Sequence, residues 1–140
     1  MMTLAWICLG AVATIPLLWI ARRTSSRLLI HLYGTSLLIA AIIYIGFALV
    51  WGDANWLLLE LLGVLLYGGF YWLALQHSLL WLAAGWLLHP LWDLALHLMG
   101  PGAHLVPDWY AVACVSFDVI VAGFIALQSK RINRLHSKLS

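Results

Sequence analysis

Charge is what this 140-residue chain most lacks: Asp, Glu, Lys and Arg together make up 9% of it against 65% hydrophobic residues, and its mean hydropathy is +1.01. A soluble domain carries about a quarter charged residues, so this composition excludes one. Cysteine is scarce too, and Cys8 and Cys114 alone cannot form a disulfide framework. Each lies about 7 Å inside a predicted helix at the same end of the molecule, where one disulfide and two buried free thiols are both compatible readings. Alternating ten-residue patterns of the outer-membrane barrel kind are missing, as are internal repeats and low-complexity segments. No basic stretch precedes the first apolar segment, which therefore reads as a retained helix rather than a signal peptide.

What the chain does have is a series of apolar segments of about 20 residues, the length of a helix that crosses a hydrocarbon layer of about 30 Å. The expectation is an all-α integral membrane bundle of five helices, at about 3–21, 28–51, 56–76, 79–99 and 109–128, in a single domain with a basic tail over 129–140. All seven Lys and Arg fall in two clusters, Arg22, Arg23 and Arg27 after the first segment and Lys130, Arg131, Arg134 and Lys138 after the last. Both should face the cytoplasm, which puts the N-terminus outside and the C-terminus inside; four crossings would put the clusters on opposite sides. The same distribution argues against a nucleic-acid partner. Gly52-Asp53-Ala54-Asn55 marks an outer turn, Gln76-His77-Ser78 a weakly marked inner one, and Gly100-Pro101-Gly102 a firm stop, where glycine permits a left-handed cap and proline cannot continue the helix.

Nine tryptophans are many for this length. Trp51, Trp56 and Trp109 fall at outer interfaces, where an indole prefers to sit. Trp72, Trp81, Trp86 and Trp92 lie deeper and read as packing residues, with stacking on a pigment or lipid the alternative. Gly63, Gly68, Gly69, Ala83, Ala84, Gly85 and Gly123 are small enough to bring helices close.

The informative residues are those hydrocarbon should exclude, since an ionisable group there costs at least about 2.5 kcal/mol. His89, Asp93 and His97 recur at intervals of four, so at about 100° per residue they form one helical stripe about 80° wide. The fifth segment adds Asp118, with Cys114 and Tyr110 one and two turns above it, and the third adds Glu60. Counted at about 1.5 Å per residue from the outer ends, these groups lie about 4 to 16 Å deep in the order His97, Glu60, Asp93, Asp118, His89. Short connections make the three segments neighbours, so one cluster of two histidines and three carboxylates is expected. Pro90 frees the carbonyl of Trp86 and bends the axis beside His89.

Three readings fit such a cluster. A divalent metal, zinc or iron foremost, suits imidazole and carboxylate ligands and offsets charge that would otherwise have to be neutralised by protons. In that reading His89, Asp93, His97 and Asp118 are the ligands, and Glu60 or Asp118 is the base that moves a proton. The chemistry would be hydrolysis or oxidation of a lipid-like substrate. The second reading is a proton path, and the third is helix packing, each group satisfied separately. A non-catalytic accessory subunit of a larger membrane complex is the corresponding alternative function, with membrane lipids, other membrane subunits or further copies of the chain as partners. His31, His77 and His136 lie too far from the cluster to join it, and His104 and Asp108 belong to the outer loop.

The run Gly85-Trp86-Leu87-Leu88-His89, followed by Trp92-Asp93 and His97, resembles a family of small bacterial polytopic membrane proteins known as a domain of unknown function. The family's later Cys and Asp correspond to Cys114 and Asp118, and an upstream glutamate to Glu60. The chain departs from it at Leu96-His97, where the family tends to have adjacent histidines, and at Phe117, where it has a second cysteine. The resemblance implies a multi-pass protein of the bacterial inner membrane and the polar positions, but no reaction.

Overall fold

The computed structural model describes residues 2–139, with side chains as far as Ile132; Arg134, His136 and Lys138 of the basic tail lie outside the described side chains. Every regular element among the described residues is helical: α1 (Met2–Arg23), α2 (Ser26–Trp51), α3 (Ala54–Gln76), α4 (Leu80–Trp92), which continues without a break into a π-helical segment (Asp93–Leu98), and α5 (Asp108–Leu139). Four of these helices, α1, α2, α3 and residues Asp108–Ile132 of α5, are long and apolar enough to cross a membrane. α4 with its π extension amounts to 19 residues, divided by the change of helix type.

Local chemistry accounts for most of the boundaries. Asp53 caps α3, its Oδ1 accepting from the backbone N–H of Asn55 at 2.9 Å and of Trp56 at 3.1 Å. Ser78 Oγ accepts from the N–H of Leu80 at 3.2 Å, closing the turn into α4. α5 does not end at Gln128. Glutamine, lysine and arginine are good helix formers, and with no glycine or proline to stop it the helix runs on through the basic segment.

The stop at Gly100-Pro101-Gly102 works differently from the expectation. The π segment ends at Leu98, but none of the described glycines has a positive φ. Glycine is required there by proximity instead: a Cβ on Gly100 would stand against the carbonyl of Ala95, and one on Gly102 against the Trp56 ring and the carbonyl of Leu96. The last turn is closed by Met99 N–H to Leu94 O and Gly102 N–H to Leu96 O, both 2.9 Å.

α4 sits at the middle of the bundle, packed against α2, α3 and α5, while α2 and α3 pair along their lengths. α1 lies on α5 and not along its sequence neighbour α2. Gly10 makes that crossing possible, since a Cβ there would overlap the Ala113 carbonyl and Ser116 Oγ. The larger of two apolar cores packs Tyr33, Leu37, Leu82, Trp86, Val121 and Ile125 around α4. Trp86 is buried and donates its indole N–H to the Tyr33 carbonyl at 3.2 Å, whereas Trp72 and Trp81 face outward. The smaller core gathers Tyr44, Leu105, Val106 and Ala111, so the 99–107 connection folds inward over the end of the bundle. Arg22 and Arg23 lie over the rings of Phe124 and Trp19 at the opposite end.

Candidate metal centre

α4, its π segment, α3 and α5 bring all five sequence-selected polar residues into the interior, each at most 3% exposed: Glu60, His89, Asp93, His97 and Asp118. They sort into two levels. In the deeper one His89 Nδ1 lies 2.9 Å from Asp118 Oδ2 and 3.6 Å from Asp93 Oδ2. A carboxylate only accepts, so Nδ1 carries the proton toward Asp118 when no cation intervenes. One ligand atom from each of the three residues lies within 4.8 Å of the other two. In the level nearer the 99–107 connection, His97 Nε2 approaches Glu60 Oε1 at 3.1 Å, and His97 Nδ1 faces the Gly102 carbonyl at 3.4 Å.

The group whose ligand atoms converge is His89, Asp93 and Asp118, and the His97 ring lies beside Glu60 instead. A single stripe at four-residue intervals requires an α-helix, in which four residues at about 100° each overshoot a full turn. From Asp93 onward the helix is closed by wider i→i+5 turns, as in Met99 N–H to Leu94 O, and each residue rotates less. Four residues then fall short of a full turn, and the His97 ring swings toward α3 and Glu60. Pro90, three residues before the change, has no N–H to give the Trp86 carbonyl, and the Asp93 N–H is shared between the carbonyls of His89 and Pro90.

Both oxygens of Asp93, Glu60 Oε1 and His97 Nε2 are buried without a hydrogen-bond partner. The 3.1 Å Glu60–His97 approach is thus an ion-pair distance without hydrogen-bond alignment. A bare carboxylate is costly away from water, so Asp93 needs a proton or a metal cation. Two of the three ligand separations suit a metal, and the third is within 4.8 Å. An ion about 2.0–2.2 Å from N and O ligands holds them about 3–3.5 Å apart, and the 2.9 and 3.6 Å separations bracket that range. One imidazole and two carboxylates is a donor set for zinc, iron or manganese.

Two tyrosines that the sequence reading did not select complete the site. The Tyr44 ring lies 5.5 Å from His89 and 4.9 Å from His97, joining the two levels, and Tyr67 lies 5.1 Å from His89. Both hydroxyls are buried, and that of Tyr44 is directed at Asp93. The charged or histidine side chains of α2, Arg27 and His31, are remote from the cluster, and His31 bonds Tyr71 at 2.6 Å. Counting depth along α2 would have found Tyr44, seven residues from the outer end at Trp51 and so about 10 Å deep, level with Asp93.

His104 and Asp108 are exposed and do not reach the cluster; Leu105 and Val106 close its mouth instead. Cys8 and Cys114 are both free, Cys8 exposed and Cys114 partly buried. On the side away from α3, an open groove of about 530 Å³ runs between α1, α2 and α5, with Asp118 in its wall.

No family model, curated protein or solved structure matches this chain.

Proposed function

We propose that this is a five-span protein of the bacterial inner membrane, N-terminus outside and C-terminus inside, whose His89, Asp93 and Asp118 hold one divalent cation for chemistry on a lipid-like substrate. The observation that carries the reading is the Asp93 carboxylate, fully buried and within ligand distance of an imidazole and a second carboxylate. The fifth span is α4 with its π extension, 19 residues inside a bundle whose other helices are all long enough to cross. The likeness of Gly85–His89 and Trp92-Asp93 to the bacterial family of unknown function accords with this reading and supplies no reaction.

Within it, Asp93 and Asp118 balance the charge of a divalent ion, so the centre is neutral in a medium that penalises net charge. A divalent ion bound there supplies Lewis acidity, which serves hydrolysis or, if the ion is iron, oxidation. Glu60 and His97 stand 3.1 Å apart beside the centre, where either can serve as a proton acceptor. Tyr44, Leu105 and Val106 keep bulk water out from the loop end.

Metal analysis by mass spectrometry of gently purified full-length protein tests the reading. Wild type should carry about one ion per chain, and His89→Ala and Asp93→Asn should each lose it, since three ligands leave no margin. A metal-free wild type that co-purifies with fixed partner chains would replace this reading with that of an accessory subunit.

A further inference from the structure

The groove between α1, α2 and α5 has a consequence for what the site acts on. It exists because α1 lies on α5 and leaves α2 uncovered, so Leu9, Ala13 and Leu17 face Ile39, Ala40 and Ile43 across a gap open along the side of the bundle. Nearly all of its wall is apolar. The exceptions are Ser36 on α2 and a strip on α5, where Tyr110, Cys114 and Asp118 follow at intervals of four; Asp118 is the residue bonded to His89. At about 530 Å³ the groove falls within the range of small-molecule sites.

Charge selects the polar end of the occupant. None of the residues lining the groove is Lys or Arg, and the described cations, Arg22, Arg23, Arg27, Lys130 and Arg131, sit at the far ends of α1 and α5 and the start of α2. With Asp93 and Asp118 already matching a divalent ion, a phosphate or diphosphate would bring uncompensated negative charge beside two carboxylates in low dielectric. An uncharged oxygen donor adds none. We infer that the groove is the binding site for the hydrocarbon chain of a neutral acyl ester or amide, its carbonyl lying at the polar strip of α5, where the Tyr110 hydroxyl and Cys114 thiol can donate to it. The choice of head group rests on the metal reading above; the chain site rests on the groove alone.

Photolabelling of full-length protein in nanodiscs, using a monoacylglycerol with a diazirine in its chain, tests the inference, with metal content measured in parallel. Labelled peptides should come from the groove walls of α1, α2 and α5. Ala13→Phe and Ala40→Phe, on opposite walls and outside the ligand set, should each lower that labelling about tenfold with metal retained. Excess unlabelled monoacylglycerol should compete, and an isoprenyl phosphate should not. Label spread evenly over outward-facing α3 residues such as Leu58 and Leu65, or label unchanged in both variants, would overturn the chain site; equal competition by the isoprenyl phosphate would overturn the neutral head group. Groove labelling that persists in metal-free His89→Ala protein would support the chain site independently of the metal.

Discussion

Asp93 and His97 show how differently two residues of one stripe can be used. Asp93 faces His89 and Asp118, while His97 faces Glu60, and the Tyr44 ring is packed against both histidines. If the ligand set is the deeper trio, His97→Gln should leave the metal content near that of wild type, in contrast to His89→Ala. The Glu60–His97 pair should instead register as coupling. A double-mutant cycle of Glu60→Gln and His97→Gln, read by reversible unfolding in detergent, should give about 0.6 kcal/mol, the average for polar pairs within membranes, and no more than about 1.7 kcal/mol. Metal lost on His97→Gln would restore His97 to the ligand set. The polar residues themselves were legible in the sequence because charge is so rare in it. Their division into two levels was not, since a four-residue interval carries no mark of whether the helix closes its turns at i→i+4 or i→i+5.

The helices differ in why their small residues are small. Gly10 sits where α1 crosses α5 against the Ala113 carbonyl, and Gly34 faces the Tyr71 ring, whereas nothing lies within 4 Å of a Cβ built on Gly69 or Gly123. Gly10→Val should therefore cost about 1–3 kcal/mol or loosen α1 from α5. Gly69→Ala and Gly123→Ala should be neutral or stabilising by up to about 1 kcal/mol, because alanine loses less backbone entropy in a helix. Thermal unfolding of the three variants in detergent checks the ordering; a Gly10→Val protein as stable as wild type would mean that α1 does not pack there. Small size alone selected Gly69 and Gly123 from the sequence and passed over Gly10 and Gly34, because which face of a helix meets a neighbour depends on the partner. The order of packing was equally hidden: α1 and α2 are joined by a short turn yet do not lie along one another.

For the molecule as a whole, the arrangement puts every described cation at one end and the polar cluster toward the other. Five crossings require the two termini to lie on opposite sides of the membrane. Reporter fusions at Met1 and Ser140 should accordingly give opposite readings, the first external and the second cytoplasmic. Identical readings would make the number of crossings even and demote α4 with its π extension from a span to an internal segment. The 99–107 connection belongs to this scale as well, since it covers one end of the bundle with Leu105 and Val106, while the groove along α1 runs past buried Asp118.

Composition and the length of the apolar runs were enough to establish an all-helical chain built from membrane-length segments, since both depend only on local hydropathy and on backbone hydrogen bonds made within each segment. The same scarcity of charge singled out Glu60, His89, Asp93, His97 and Asp118 as residues with a reason to be inside. Which of them meet, that Tyr44 and Tyr67 stand among them, and that α1 leaves a groove against α2 were decided only in three dimensions. Those facts depend on how far each helix turns per residue and on which faces pack, and both are set by partners distant in the chain.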